Sequence, residues 1–593
     1  MLKHSNPLIF LTGKMWQFSA GNRPKVIFYF LLQIGSNLIN LCGPLILAGW
    51  LNYIQQNGVN SENIYRVLSW LPLFLLVTLL SWAMHGPARV IEICNGFTVK
   101  VNYKNHLVGG ILALPLKWHG EHHSGNTIDK VQKGSTALGD FSEETYDTIR
   151  MLTRLIGSYF VLIFFNHHAA YLILLTAAIA SFIVVKFDKI LIDQYYQLNR
   201  IENRIAEKIA DAINNIRTVI ILRIENLIHQ SITKKMMSPY ELVTKNNKLN
   251  ETKWFLVSVC ASITKILVMS SYVVLTYKSG GIILLGSLAA LYKYVEEINE
   301  VFFNFASNYS QILKRRTKVA NSEELTGDFH LCRKITNSRM PRDWQEINIK
   351  NLTFSHCDDE NNIDLHLDDI SMTIKRNQRI AVIGASGSGK TTLLQIIREL
   401  YQPTSANVYL DGKLIPKGFS SISSDVTLIP QDPEIFHASI MYNIAMDVDH
   451  DLNYVLRFTD MARFSDVVTR LPNGFNSWIN ERGVNLSGGE KQRLALARGL
   501  MACDDKQIIL LDEPTSSVDS PNELMIYKNI FAEFTDKTIL SSIHKLHLLP
   551  MFDIIYFFDA GKIIASGTFQ EILTNCPKFE EIWNEYNLTT QNQ

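Results

Sequence analysis

Long apolar runs dominate the first 310 residues of the chain, whereas shorter runs alternate with polar segments in the remainder. Six runs approach the roughly 20 residues that a helix needs to cross a bilayer core. We therefore expect six membrane spans, approximately at 26–51, 65–84, 152–166, 169–187, 254–277 and 281–305. Only the tight turn Asn166-His167-His168 would allow one long buried helix in place of the third and fourth spans.

Lys and Arg are distributed unevenly between the connections. Residues 51–65 and 165–170 contain neither, whereas residues 85–150 and 186–253 contain many. Cytoplasmic connections carry the excess of these residues, so both termini and both long connections are expected in the cytoplasm. The helical periodicity of the two connections predicts long helices that continue past the membrane and turn back; two small subdomains are the alternative.

The sixth predicted span carries charged residues at helical spacing. Lys293, Glu296, Glu297 and Glu300 stand at i, i+3, i+4 and i+7, which places them on one helical face, and Lys265 interrupts the fifth span. Ionisable groups at membrane depth usually face a wet, protein-lined interior. This face is therefore a candidate wall of a substrate cavity, or alternatively the part of the helix that lies at the cytoplasmic interface.

The first predicted span has a second polar face. It contains Gln33, Asn37 and Asn40, and Asn37 joins the candidate cavity residues. The following Gly43-Pro44 predicts a kink.

Composition excludes several classes of protein. Hydrophobic residues make up 47% of the chain, which argues against disorder, and the net charge of +1 does not favour a nucleic-acid partner. The seven cysteines are scattered without metal-ligand spacing, so free thiols are expected. The short apolar stretch 7–12 lacks the features of a cleaved signal peptide.

A phosphate-binding loop marks the second half. We expect a membrane domain at 1–325, a polar linker at 326–343 and an α/β domain at 344–593. In that domain an apolar strand, 379–383, leads through G-x-x-x-x-G-K-T into a helix at 392–400. The loop amides and the helix N-terminus would bind phosphate, Lys390 would neutralise it and Thr391 would bind Mg²⁺. The predicted nucleotide contacts here are Gly384, Ser386, Gly387, Ser388, Gly389, Lys390, Thr391 and Thr392.

An acidic pair follows the apolar run 507–511, which predicts a strand buried on both faces. Asp512, at the end of this strand, is placed to hold Mg²⁺ directly or through water. Glu513, next to it, is placed to polarise the attacking water as general base. Downstream of a phosphate-binding loop, this pair predicts an ATPase.

The segment 485–498, Asn-Leu-Ser-Gly-Gly-Glu-Lys-Gln-Arg-Leu-Ala-Leu-Ala-Arg, resembles that of ATP-binding cassette (ABC) transporters. The resemblance implies that its signature loop meets the γ-phosphate bound by an opposite subunit. It also implies a glutamine loop that reaches Mg²⁺ and the membrane helices, a D-loop, and a switch histidine on the γ-phosphate. The matching residues are Ser487, Gly488 and Gly489 for the signature, then Gln431, Asp519 and His544.

Six spans followed by one cassette resemble a half-transporter of the exporter architecture. Residues 114–126 and 213–225 are similar to the segments where coupling helices touch the cassettes. The resemblance implies that two chains pair and enclose two ATP molecules. Since Ser487, Glu513 and His544 are all intact, a homodimer is the simpler expectation, with a related half-transporter as the alternative partner.

The chain departs from the family pattern in three places. Glu490 stands where Gln is commoner; with Glu481-Arg482-Gly483 before it, this is similar to mitochondrial-type exporters of heavy metals and glutathione conjugates. His356 occupies the position of the tyrosine that stacks on adenine, and imidazole offers less stacking area. The D-loop reads Ser-Ser-Val-Asp, a mild change.

These observations predict ATP- and Mg²⁺-dependent transport across an inner or plasma membrane. Export of a small organic, lipophilic or conjugated substrate by a dimer embedded in lipid is the leading hypothesis. Import of a metal chelate remains open, because nothing in the sequence decides direction. An ATP-gated channel or regulator is a third hypothesis; the regulatory insertions expected for it are absent from the sequence.

Overall fold

The computed structural model describes residues 6–122, 124–165, 167–331, 339–356, 365–479 and 486–591. The chain separates into two compact units. One comprises Met1–Leu114 and His122–Cys332, and the other comprises Pro115–Glu121 and Arg333–Gln593. The expected linker 326–343 includes residues 332–338, which lie outside the described part of the chain.

The N-terminal part of the described chain is helical throughout. Its helices, in chain order, are α1 Pro7–Phe18, α2 Arg23–Asn40, α3 Cys42–Asn57, α4 Ile64–Leu68, α5 Leu71–Leu112, α6 Leu116–Glu121, α7 Ser124–Glu143, α8 Thr145–Phe165, α9 His167–Asn214, α10 Ile216–Ile221, α11 Glu225–Met237, α12 Tyr240–Lys278 and α13 Leu285–Gly327.

Several of these helices are far longer than a membrane is thick. Helices α5, α9, α12 and α13 contain 42, 48, 39 and 43 residues. At 1.5 Å per residue they extend for about 60–70 Å, roughly twice the hydrocarbon core. The two long connections are therefore built from extended helices, as the sequence predicted, and the short helices α6 and α10 lie at their turns.

Buried polar contacts hold the second long connection together. The ammonium of Lys253 on α12 lies 2.9 Å from Asp188 Oδ1 on α9, and both side chains are more than nine-tenths buried. Asn246 on α12 donates to Gln194 on α9 over 3.0 Å. Because each buried charge and amide has a partner on the facing helix, these contacts fix the register of α9 against α12.

Within the described residues, four helical segments are long and apolar enough to cross a membrane by length and composition: Arg23–Asn57, Ile64–Leu112, Ala170–Asn214 and Glu225–Lys278. The third and sixth predicted spans lie in α8 and α13, which are helical over their described residues. The turn residue Asn166, between α8 and α9, lies outside the described part.

The predicted kink in the first span has a clear cause. Helix α2 ends at Asn40 and α3 begins at Cys42, so the helical segment is interrupted at Leu41. Pro44 has no N–H with which to bond the carbonyl of Asn40, four residues earlier. The side-chain amide of Asn40 donates to Ser81 Oγ on α5 over 2.7 Å, which anchors the break to α5.

The C-terminal unit is built from two sheets. Its strands are β1 Glu346–His356, β2 Leu365–Lys375, β3 Arg379–Gly384, β4 Ser405–Leu410, β5 Lys413–Leu414, β6 Val426–Ile429, β7 Ile508–Asp512, β8 Thr538–Ser542, β9 Ile554–Asp559 and β10 Lys562–Gly567. A four-stranded antiparallel sheet has the order β2-β1-β4-β5, and a six-stranded sheet has the order β10-β9-β3-β8-β7-β6.

Helices lie between and after these strands in the chain, some packed against the larger sheet and others against neighbouring helices. They are α14 Lys390–Ile397, α15 Ile440–Ala445, α16 Leu452–Met461, α17 Ser465–Arg470, α18 Gly488–Ala502, α19 Ser520–Glu533, α20 Phe569–Asn575 and α21 Pro577–Gln591.

Strands β3, β8, β7 and β6 run parallel to one another. Both faces of this sheet are covered, so β7 and β8 are buried along their whole lengths. That burial explains why Ile508–Leu511 forms an uninterrupted apolar run. Because the strands are parallel, their carboxyl ends meet at one edge of the sheet, where open α/β folds bind ligands.

Candidate nucleotide site

The loop after β3 has the backbone geometry of a phosphate cradle. Gly389, the residue before α14, has a φ of +101°, and a Cβ there would lie 2.5 Å from Leu367 Cδ2. Only glycine fits this conformation and this space. The buried hydroxyl of Ser388 has no hydrogen-bond partner within the described residues, so it can bond to a phosphate oxygen. These features fit the loop to a nucleotide phosphate.

Lys390 opens helix α14 and is 5% exposed. Its ammonium donates to the carbonyls of Gly384 and Ala385 over 2.9 and 3.0 Å, which leaves one N–H for a phosphate. Burial lowers the pKa of Lys390, while Glu513 and Asp512 oppose this shift without cancelling it. A phosphate beside this ammonium would stabilise its charged form, which agrees with the predicted role.

Asp512 and Thr391 meet at the same edge. Thr391 Oγ1 donates to Asp512 Oδ1 over 3.0 Å, and Ser542 Oγ, at the end of β8, donates to the same oxygen over 2.8 Å. Burial raises the pKa of Asp512, although these hydrogen bonds and Lys390 lower it.

No group of three or more His, Cys, Asp or Glu side chains that could hold a metal ion occurs among the described residues. The Thr391–Asp512 pair nevertheless fits Mg²⁺, which takes one or two protein oxygens and completes its shell with phosphates and water. The predicted Mg²⁺ residues Thr391 and Asp512 are thus brought together, and Gln431 lies beside Glu513 rather than in direct contact with Asp512.

Glu513 has a strained backbone, with a φ of +44°. Its N–H donates to Ser542 Oγ over 2.9 Å, and its carboxylate accepts from Gln431 Nε2 over 2.9 Å. Non-glycine residues in this conformation cluster at functional sites, because the surrounding structure must hold them. Glu513 and the exposed His544 both line a cavity of about 200 Å³. The predicted base and the predicted switch histidine therefore face one space.

Ser487 caps the N-terminus of α18. Its hydroxyl accepts from the Glu490 N–H over 3.2 Å, and Glu490 Oε2 accepts from the Ser487 N–H over 2.9 Å. Burial acts to raise the pKa of Glu490, but these bonds and the charges of Arg470 and Arg493 bring it below its ordinary value. Because the Ser487 hydroxyl is an acceptor in this capping box, its proton remains available for another acceptor.

The signature and D-loop segments pack against each other. A Cβ on Gly489 would lie 2.8 Å from the carbonyl of Ser517, so the two backbones approach closely there. Gly488 begins α18, and Asp519 caps α19 by accepting from the Asn522 N–H over 3.3 Å. Among the hydrogen bonds that the structure describes, none joins Ser487 to the phosphate loop.

The site contains two further residues, Ser542 and Gln492, that the sequence motifs did not indicate. Ser542 connects Asp512 with Glu513, although it lies in an unremarkable strand. Gln492 is 5% exposed; its Nε2 donates to the Gln431 carbonyl and Ser516 Oγ, and its Oε1 accepts from the Ser517 N–H. A polar amide residue within the signature helix could have indicated Gln492, because a buried polar group needs hydrogen-bond partners.

The remaining predicted nucleotide contacts lie in the phosphate loop, at the start of α14 and at the end of β1. Ser386 and Gly387 form the exposed tip of the phosphate loop, and Thr392 lies in the first turn of α14. His356 ends β1 opposite Leu365, and its side chain lies outside the described part. Residues Glu481-Arg482-Gly483 also lie outside it.

The charged face of α13 is divided in the structure. Lys293 Nζ lies 2.9 Å from Glu296 Oε2, and Lys265 Nζ on α12 lies 3.7 Å from Glu296 Oε1. Glu297 instead is 8% exposed and accepts from Ser158 on α8 over 3.0 Å. Helix α8 therefore covers the edge of the charged face that carries Glu297, whereas Lys293 and Glu296 pair with each other.

The two other cavity candidates make no described ion pair with this cluster. Glu300 is exposed, one turn beyond Glu296. Asn37 is 2% exposed and donates to the Gln33 carbonyl of its own helix over 2.8 Å. No hydrogen bond described in the structure joins Asn37 to the charged residues of α13.

Two family models match this chain. The model described as "ABC transporter transmembrane region" matches residues 26–296, and the model described as "ABC transporter" matches residues 367–516. The second match includes the phosphate loop, Gln431, the signature and the Asp512-Glu513 pair.

Some curated relatives match only part of this chain, and others match nearly all of it. The ABC multidrug transporter MDR2 of Trichophyton equinum is 36% identical over 36% of this chain, and the match spans 16% of that protein. The mitochondrial iron-sulfur clusters transporter ATM1 of Kluyveromyces lactis is 26% identical, and the match covers 95% of this chain and 79% of the relative. The first match is limited to about a third of this chain, whereas the second extends over nearly all of it.

A solved structure has the same fold along almost the whole chain. It is a bacterial Atm1-family ABC exporter with ATP bound, with a TM-score of 0.81 at 19% sequence identity. The superposition covers 95% of this chain and 99% of that one. The likeness thus includes both the helical unit and the unit with the two sheets.

Proposed function

The chain belongs to the ABC transporters, with one membrane region and one ATPase domain, and we propose that it exports a small organic, lipophilic or conjugated substrate as a dimer. The observation that carries this proposal is the convergence of Lys390, Thr391, Asp512, Glu513 and Gln431 at one sheet edge. These are the groups that phosphoryl transfer to water requires: a cation for phosphate, oxygens for Mg²⁺ and a base.

Each residue has a defined task in the proposed hydrolysis. Lys390 and the loop amides bind the β- and γ-phosphates and fix their orientation. Thr391 and Asp512 would hold Mg²⁺, which would supply neutralisation of the phosphate charge. Glu513, oriented by Gln431 and by the Ser542 hydroxyl, accepts a proton from the attacking water. His544, which lines the same cavity, contacts the γ-phosphate.

The position of the signature loop supports dimerisation. None of the described hydrogen bonds joins Ser487 to the phosphate loop. The Ser487 hydroxyl accepts from the Glu490 N–H and therefore retains its own proton to donate. A second chain would supply its Ser487 to the nucleotide held by the first. Intact Ser487, Glu513 and His544 support two equivalent sites, and hence a homodimer in the inner or plasma membrane with the ATPase domains in the cytoplasm.

Two observations support a substrate class. The relative aligned over 95% of this chain is named an iron-sulfur clusters transporter, which supports testing metal–thiolate complexes and thiol conjugates first. The Lys265–Glu296–Lys293 cluster supports a polar or charged group on the substrate, because it offers ionic partners on α12 and α13.

Purified chain in lipid nanodiscs tests the proposal. Vanadate-sensitive ATPase activity in the wild type, lost in Glu513→Gln, is the expected result for a self-sufficient homodimer. Inside-out vesicles should then accumulate the substrate that stimulates this activity. Accumulation only in right-side-out vesicles would instead establish import, and a chain that binds ATP without turnover would contradict the proposed ATPase of a self-sufficient homodimer.

A further inference from the structure

Glu523 is a buried acid that the proposed mechanism does not use. It lies on α19 and is 3% exposed. Its Oε1 accepts from Thr515 Oγ1 over 2.6 Å, and Thr515 itself is 2% exposed. Thr515 follows Glu513 by two residues, so this bond fixes the loop that carries the catalytic base. A buried carboxylate is costly and persists only where partners hold it.

The second oxygen of Glu523 faces the other catalytic loop. Oε2 lies 3.3 Å from Lys545 Nζ and 3.7 Å from His547 Nε2. Within the described residues Oε2 has no hydrogen-bond partner, so its attraction to the Lys545 ammonium is one of charge. Lys545 is adjacent to His544, and its ammonium also donates to the Val518 carbonyl of the D-loop over 2.6 Å.

These contacts surround the cavity that Glu513 and His544 share. Glu523, Thr515 and Lys545 all line this space of about 200 Å³. The carboxylate, hydroxyl and ammonium groups among its lining residues can supply the two to four polar partners that an ordered water needs. One carboxylate therefore joins the loop after β7 to the loop after β8, at the place where water must reach the γ-phosphate.

We infer that Glu523 is a positioning residue for hydrolysis: it holds the Glu513 and His544 loops at the spacing that the reaction needs, through Thr515 and Lys545. The inference rests on the proposed ATPase function. Small displacements of a base cost much of its rate advantage. The phosphate loop is held by its own glycines and by Lys390, so loss of Glu523 should affect turnover far more than ATP binding.

Matched variants of the full-length chain in nanodiscs separate positioning from general stability. Thr515→Val removes the hydroxyl at nearly constant volume, and Thr515→Ser restores it. Glu523→Gln keeps an acceptor for Thr515 but removes the charge that attracts Lys545. Asp536→Asn, at an exposed carboxylate in the turn after α19, controls for the chemical change.

The expected result is a kcat lower by about tenfold or more in Thr515→Val and Glu523→Gln, with ATP affinity within about twofold of wild type. Thr515→Ser should recover most of the rate, and Asp536→Asn should match wild type. Unchanged kcat in Thr515→Val and Glu523→Gln beside an active wild type overturns this inference alone, as does an equal loss of kcat, affinity and melting temperature. A wild type that binds ATP without hydrolysing it overturns the proposed ATPase and this inference together.

Discussion

The side-chain amide of Gln431 donates to Glu513 Oε2 over 2.9 Å, although the two residues are 82 positions apart in the chain. The bond forms because β6 and β7 are adjacent parallel strands, so the residues that follow them meet at one edge. Glu513 also has a φ of +44° and is held by Ser542. The candidate base is thus fixed from two neighbouring strands before any substrate arrives.

Replacement of Glu513 by Gln should abolish most hydrolysis and leave ATP binding intact. The amide keeps the size of the side chain but cannot accept a proton, and a general base contributes about 10²–10⁴-fold. The measurement is vanadate-sensitive phosphate release beside the equilibrium binding of a fluorescent ATP analogue. Hydrolysis within a factor of about three of wild type would remove Glu513 from the mechanism.

Replacement of Asp512 by Asn should stabilise the nucleotide-free protein while weakening Mg²⁺-dependent binding. Because burial raises the pKa of Asp512, the folded state binds its proton more tightly than the unfolded state. The ionised carboxylate therefore costs stability, and this cost grows as the pH rises past the ordinary aspartate value of about 4. The melting temperature of Asp512→Asn should equal or exceed that of wild type at neutral pH.

The difference in melting temperature between Asp512→Asn and wild type should shrink in acid, where both side chains are uncharged. Scanning fluorimetry from acid to neutral pH, with and without Mg²⁺ and ATP, follows both effects. A variant that melts below wild type at neutral pH without nucleotide would contradict this account of the Asp512 carboxyl.

Replacement of Gln492 by Met should impair both stability and turnover. The change keeps the volume but leaves the Gln431 carbonyl, Ser516 Oγ and the Ser517 N–H without this partner. Unpaired buried polar groups cost about 1–3 kcal/mol each. Chemical unfolding and kcat are the measurements. Gln492→Glu keeps the acceptor for the Ser517 N–H, so its unfolding free energy and kcat should fall between those of wild type and of Gln492→Met. If Gln492→Met is the milder change, Gln492 does not act by linking these three groups.

Removal of the Glu92 side chain should destabilise the helical unit. Glu92 on α5 is fully buried, and its carboxylate accepts from Arg89 Nη1, Thr145 Oγ1 and the Tyr146 N–H over 2.8, 2.7 and 2.6 Å. Glu92→Ala would remove the acceptor of these three hydrogen bonds, and loss of a hydrogen bond to a buried charged group costs about 1.5–3 kcal/mol. Glu92→Gln retains acceptors and should cost less. Thermal unfolding in nanodiscs should give melting temperatures that fall from wild type through Glu92→Gln to Glu92→Ala. Equal melting temperatures of the three proteins would refute this prediction.

Neutralising the exposed charges of α13 should reduce stimulation by substrate. Lys293→Ala, Glu296→Ala and Glu300→Ala together remove the ion pairs with Glu296 at their centre. ATP affinity should stay unchanged, because these residues lie in the helical unit. The fold-stimulation of ATPase by candidate metal–thiolate or conjugated substrates is the measurement. Full stimulation in the triple variant would exclude this cluster from the cavity wall.

Local patterns in the sequence determined much of this protein. The phosphate loop, its glycines and Lys390 are consecutive residues whose geometry depends on their own backbone preferences. The helix break before Pro44 likewise follows from one missing N–H. The long helices were recognisable because hydropathy and helical period are properties of a continuous segment.

The tertiary structure determined which side chains are neighbours. Strand β8 inserts between β3 and β7, which places Ser542 between Asp512 and Glu513, and no local pattern specifies that order. Helix α8 buries Glu297, which accepts a hydrogen bond from Ser158, whereas Glu296 forms an ion pair with Lys293. Glu523 joined two loops that are distant in the chain. The sequence by itself fixes which groups can do chemistry, but their distances depend on strand order and helix packing, which arise from the burial of many side chains at once.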